Sequence, residues 1–148
     1  MKEFEKVIND RPYKIIRTSL GWVGVAATGQ GISNIVLPKK NKRTVEAELC
    51  SKIGKRPLET SARQASRLLA DAVKLLKKYF SGERVSFDLL LDLRDHTSFQ
   101  QTVWRAAVQI PYGETRSYAW IATRIRNPKS VRAVGQAMGA NPVPLLIP

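Results

Sequence analysis

The chain has 148 residues, 43% of them hydrophobic, and its 25 Lys and Arg against 12 Asp and Glu give a formal net charge of +13. Such a length holds one or two small domains with a real core, and the charge favours an anionic partner, nucleic acid first and an anionic membrane surface second. Cys50 is the only cysteine and His96 the only histidine, which excludes an internal disulfide and a four-ligand Cys/His zinc site. No apolar run is long enough to span a bilayer, and no charged-then-apolar leader follows Met1, so an intracellular protein is expected.

Residues 1–94 read as a first domain. Tyr13 to Ser19 and Trp22 to Ala27 are β-rich runs joined at Leu20-Gly21, a hairpin signal, and Ile32 to Leu37 is a third strand. Pro38 and the run Lys39 to Arg43 end that strand in a solvated basic turn. Val45 to Ile53 reads as a short helix in which Cys50 is a buried, inert thiol. Thr60 to Phe80 is the strongest helix, with one apolar stripe of Ala65, Leu68, Leu69, Ala72, Leu75, Leu76 and Tyr79. Ser81-Gly82 closes it, and Val85 to Leu93 follows as a partly alternating last strand. The carboxylates Asp88, Asp92 and Asp95 fit strand spacing and a helix end better than a metal cluster. Strands, a long helix and another strand make an α+β layer domain, and Leu93 to Thr97 is the linker to a second domain, 95–148.

That second domain reads as three short helices. Ser98 caps the first, with Phe99, Val103, Trp104, Ala107 and Val108 at helical spacing, and Pro111 and Gly113 stop it. Ser117 caps Tyr118 to Ile125, whose apolar side is Ala119, Ile121, Ala122 and Ile125. Asn127-Pro128 starts the third helix, which runs to about Met138, with Gly139 as a left-handed cap. The last two helices form a helix-turn-helix. Ala133, Gly135 and Ala137 leave the third helix nearly bare, which suits either close helix packing or close approach to a partner. Lys129 stands at its N-terminus, a good phosphate site, and Arg132 is a long cation placed there for reach.

The Ser117-Tyr118 pair, the run NPKSVRAVGQAM from Asn127 and the run GANPVPLLIP from Gly139 occur in an order and spacing specific to one family. From about Thr97 to Pro148 the chain closely resembles the C-terminal domain of O6-alkylguanine-DNA alkyltransferases, the methylated-DNA–protein-cysteine methyltransferases. The resemblance implies a ribonuclease-H-like α/β domain, without nuclease activity, ahead of a winged-helix-like helix-turn-helix domain. It implies repair of O6-alkylguanine by alkyl transfer to a cysteine, once per molecule and with no cofactor; O4-alkylthymine is a candidate second lesion. A base must leave the duplex to be reached. Arg132 matches the arginine finger that replaces the extruded base, and Tyr118 the tyrosine that crowds the adjacent phosphate. The third helix would enter the minor groove through the small residues Ala133 and Ala137. Asn141 would tie the helix-turn-helix to the reactive segment, and Pro144 would line the alkyl pocket.

In the family Leu-Ile-Pro runs directly into Cys-His-Arg, so the nucleophile is expected immediately after Pro148 and the chain as it stands is expected to be inactive. The implied partner is double-stranded DNA carrying O6-alkylguanine, bound as a monomer with little sequence preference and no membrane. A cytoplasmic, nucleoid-associated place is expected, or a nuclear one in a eukaryote. The alternative is an alkyltransferase-like protein that binds the lesion without repairing it, and the first domain favours the enzyme. A major-groove regulator loses, because the third helix lacks polar base-reading side chains.

Overall fold

The computed structural model describes residues 4–54 and 61–148. The chain divides into two compact units, Met1–Asp92 and Leu93–Pro148.

Four strands, β1 (Lys6–Ile8), β2 (Arg11–Thr18), β3 (Gly21–Thr28) and β4 (Gly31–Lys39), make an antiparallel sheet in chain order. Each turn has two residues. Thr18 pairs with Gly21 around Ser19-Leu20, and the Thr18 hydroxyl donates to the Gly21 carbonyl at 2.8 Å. Ile8 pairs with Arg11 around Asn9-Asp10, both at positive φ (49° and 60°), the backbone of a type I′ hairpin. Strand β1 lies ahead of the strands expected from the sequence: it is three residues long, and its signal is the Asn-Asp turn more than its own composition.

Two helices follow, α1 (Lys42–Lys52) and α2 (Ala62–Phe80). Tyr13, Ile15, Ala26 and Val36 of the sheet form one buried cluster with Val45 and Leu49 of α1 and with Ile53. Gly24 lets α1 come close, since a Cβ there would meet Val45 Cγ1 at 2.9 Å. The alternate residues Ile16, Val23, Val25 and Ile35 are equally buried, and α2 packs on β2 and β3 with Ala65, Leu69, Ala72, Val73 and Leu76 inward. A sheet covered on both faces has near-continuous apolar strands, as β3 and β4 do.

The basic run Lys39 to Arg43 is no free turn: Lys39 ends β4, Asn41 caps α1 by accepting from the Arg43 amide, and Lys42 and Arg43 are the first helical residues. Thr60, the expected start of α2, lies outside the described residues; Ser61 is the cap. The expected strand Val85 to Leu93 does not form. Only Leu91 bridges, in parallel, to Ile32. The Ile32 amide donates to Leu90 O (2.8 Å) and the Asp92 amide to Ile32 O (2.9 Å). Val85, Phe87 and Leu89 are half-buried and their neighbours exposed, so the alternation marks an extended segment packed on one side. The segment meets the outer edge of β4, the last strand of the sheet, only at Ile32, near the start of that strand. Gly31 permits that approach, because a Cβ would lie 2.6 Å from Leu90 O. Asp92 is buried and accepts from the Thr28 hydroxyl at 2.7 Å.

The second unit is helical: α3 (Ser98–Val108), α4 (Tyr118–Arg124), a 3-10 turn (Pro128–Ser130) and α5 (Val131–Gly139). Thr97, and not Ser98, caps α3, in a reciprocal box with Gln100. Trp104 is fully buried and its indole N–H donates to Ala137 O of α5 at 2.9 Å. His96 packs edge-on against it at 4.9 Å. An indole of about 200 Å² at about 25 cal/mol per Å² contributes ~5 kcal/mol before entropy, and its hydrogen bond ties α3 to α5. Val108 (46% exposed) and Ala119 turn outward, against expectation. The helices are too short for every stripe position to face a neighbour.

Candidate nucleic-acid interface

Ser117 accepts from the Trp120 amide at 3.1 Å and starts α4. At the other end the Arg126 amide donates to Thr123 O and the Asn127 amide to Ala122 O, with Arg126 at φ 60°. This is the closure that usually recruits glycine at its left-handed position; here an arginine occupies it. Asn127 makes no capping side-chain bond, and Pro128 opens a 3-10 turn before α5. Gly139 is the last helical residue and has no positive φ, so the expected left-handed cap is absent and Ala140 ends the helix.

On α5 the buried residues are Val134 and Ala137, and Ala133 and Gly135 are half-buried. Arg132, Gln136 and Gly139 are exposed, and Val131 is 38% exposed. The expectation for Ala137 is therefore corrected: it belongs to the face packed on Trp104. The small residue of the open side is Gly135, over which the Tyr118 ring lies; a Cβ at 135 would meet two ring carbons at 3.2 Å. Tyr118 is 49% exposed. Arg126, Lys129 and Arg132 are exposed, and among the described residues their side chains make no hydrogen bond or ion pair. From Thr115 to Pro148 the sequence holds Arg116, Arg124, Arg126, Lys129 and Arg132 and no carboxylate. The helix-turn-helix is thus a one-sign surface. Residue type and spacing alone do not single out Arg126; this absence of acids is the signal that could have found it.

Beyond α5 the chain folds back as a clamp. The Asn141 side-chain amide donates to Ile147 O at 2.9 Å, and its Oδ1 accepts from the Val143 amide at 2.9 Å. The Ile147 amide donates to Val143 O, Pro144 bridges to Ile147, and Leu145 is held at φ 77°. Val143, Leu146 and Ile147 are buried. One asparagine side chain thus holds the segment at both ends against the cost of a left-handed leucine. Cys50 lies in the other unit, half-buried beside the α1 core cluster.

Two family models match. Residues 12–93 match the 6-O-methylguanine DNA methyltransferase ribonuclease-like domain, and residues 98–148 match the DNA-binding domain of the same enzymes. The chain belongs to the 6-O-methylguanine DNA methyltransferase family. The methylated-DNA–protein-cysteine methyltransferase of Mycobacterium bovis is 38% identical over 136 residues, 92% of this chain and 74% of the relative. The one from Mycolicibacterium paratuberculosis is 49% identical over 92 residues, 62% of this chain but only 55% of the relative. Among solved structures, a Mycobacterium tuberculosis O6-methylguanine methyltransferase variant gives a TM-score of 0.68 at 38% identity, covering 92% of this chain and 74% of the other. The Mycobacterium tuberculosis protein in complex with DNA gives 0.65 at 37% identity, with the same coverage. The α+β fold and the DNA-binding domain are those of the family. No helix among the described residues is long and apolar enough to cross a membrane.

Proposed function

We propose that the chain serves direct repair of O6-alkylguanine in duplex DNA. The observation that carries this is the carboxylate-free α4–turn–α5 segment, which holds the half-exposed Tyr118 and three exposed cations with no side-chain partner among the described residues, and which the clamped segment follows directly. Lys129 and Arg126 neutralise phosphates, and α5 meets the minor groove along Arg132, Gly135, Gln136 and Gly139, with Ala133 at its margin. Arg132 enters the stack: its planar guanidinium both stacks and donates to the orphaned base. Tyr118, a rigid ring backed by Gly135, crowds the phosphate of the rotating nucleotide. Contacts of this kind ignore sequence, which suits damage that arises anywhere.

Asn141 fixes where the chain leaves Pro148, and Pro144 borders the pocket for the alkyl group. The acceptor is a cysteine in the position after Pro148. Its thiolate displaces the guanine in line, so the alkyl carbon's bond to O6 breaks as its bond to sulfur forms, and guanine recovers a proton. The thioether is stable and each molecule acts once. Monomeric binding to DNA suffices for this chemistry.

The test uses the chain extended by Cys-His-Arg and the family's remaining tail. Arg132→Ala should slow methyl loss from duplex DNA far more than reaction with free O6-benzylguanine, which needs no extrusion. Equal loss of both reactions would show that Arg132 supports the fold or the pocket. Labelled methyl found on Cys50 of the 148-residue chain would overturn the assignment of the acceptor.

A further inference from the structure

A second cationic surface lies on the same unit. Trp120 follows Tyr118 by two residues, about 200° around the helix, so it points to nearly the opposite side of α4. The guanidinium carbons of Arg116 and Arg124 stand 5.6 Å and 5.3 Å from its ring centroid. Arg124 Nε also donates to Gln109 Oε1 at 2.7 Å, which locks it against the end of α3. Beside this ladder a shallow groove of about 390 Å³ is lined by Thr102, Arg105, Ala106, Gln109, Arg124 and Ile125. Arg105 donates to Gln101 Oε1 at 3.2 Å. Arg116 is paired with Glu114, whereas among the described residues Arg105 and Arg124 have only neutral amide partners. Two full positive charges therefore face one groove, each oriented by a bond that does not neutralise it.

We propose that the α3–α4 groove is a second phosphodiester-binding surface, which seats the backbone of another DNA segment while α5 holds the first. The proposal rests on α5 meeting DNA, as argued above. A guanidinium held by one N–H edge keeps its other N–H groups for a phosphate, and its plane is already set. Tryptophan beside the groove excludes water on one side and lends cation–π support to the fixed arginine. A chain that grips two segments passes directly from one to the other, so its release from a duplex is hastened by a second duplex.

The experiment follows a labelled duplex bound to the chain, released by increasing unlabelled duplex, in stopped flow. The expected release rate rises in proportion to competitor, and Arg105→Gln/Arg124→Gln abolishes that rise while leaving a competitor-independent rate. Both residues lie on the surface, and an unchanged circular dichroism spectrum checks the fold. As a measurement independent of the variant, sedimentation with a short duplex in excess should find two duplexes on one chain. A rate independent of competitor, or a rise that survives in the double variant, overturns the proposal. Acceleration by poly-glutamate equal to that by duplex also overturns it, since the groove would then take any polyanion. Failure of the α5 reading shows separately: Arg132→Gln would leave first-duplex affinity intact, and the groove variant would abolish all binding.

Discussion

Arg126 sits where the backbone asks for glycine. At φ 60° a residue with a Cβ gives up about 1–2 kcal/mol relative to a right-handed conformation. Glycine relieves that strain but loses about 0.5–1 kcal/mol more chain entropy on folding. Arg126→Gly is therefore expected to stabilise the protein by roughly 0.5–1 kcal/mol, a rise in Tm of about 1–4 °C for a chain of this size. The Arg126 side chain is exposed and makes no bond among the described residues that the change would break. The same change removes one cation of the proposed DNA face. The log–log salt slope for duplex binding should then shrink by about 0.9, the value for one neutralised phosphate. Differential scanning calorimetry and a fluorescence anisotropy salt series read the two effects. A lower Tm would refute the strain argument. A higher Tm with an unchanged salt slope would show that the turn does not face DNA and that the arginine has no role there.

Gly135→Ala should press on the Tyr118 ring at 3.2 Å and weaken duplex binding with little loss of stability; unchanged affinity would separate the ring from the DNA face. Ala133→Leu should weaken binding in a folded protein, whereas Ala137→Leu overpacks the buried face against Trp104 and should cost about 1–3 kcal/mol of stability, each measured by urea unfolding and anisotropy. Asn141→Ala removes two hydrogen bonds of the clamp, about 1 kcal/mol each, and should make Val143 to Ile147 the first segment to exchange in hydrogen–deuterium mass spectrometry. In the first unit Lys6 and the Tyr13 hydroxyl both bond Glu46, at 2.5 and 3.0 Å. The Lys6 ammonium foremost, with the Tyr13 bond, lowers the Glu46 pKa, so this group's stabilisation is present above the ordinary glutamate range and is lost as pH falls through the depressed folded value. Burial raises the Tyr13 pKa, so its contribution is present below the ordinary tyrosine value near 10 and is lost as pH rises further. Glu46→Gln should flatten the acid limb of a Tm–pH curve, and an unchanged limb would remove Glu46 from that account.

Much of this molecule can be read from local chemistry. The helices α2, α3 and α4 and the strands β2 and β3 rest on neighbours in sequence, where caps and periodicity act. The turn between those strands falls at Ser19-Leu20, one residue before the expected Leu20-Gly21, and the tie at Asn141 comes from the family resemblance. Most departures are tertiary. Nothing in Val85 to Leu93 says that the segment touches the edge of β4 only at Ile32, so alternation there reads as a ladder that does not form. Ala137 and Gly135 are equally small, and only the position of Trp104 decides which of them is buried. One departure is local: Thr97 rather than Ser98 caps α3, because the box with Gln100 closes from that residue. At the proposed interface Arg132 and Lys129 stand out through their types and positions, and Tyr118 through the family resemblance. Arg126 does not, because its conformation is set only once α4 has closed against the turn.

The central claim is that the α4–turn–α5 surface binds the backbone of duplex DNA without reading sequence. The most direct measurement is a salt titration of affinity on two unrelated duplexes, for the native chain and for Lys129→Gln/Arg132→Gln. Steep and equal slopes on both duplexes are expected, reduced in the double variant by up to about 0.9 for each phosphate that is no longer neutralised. A flat response, or slopes identical in the native and variant chains, would contradict it.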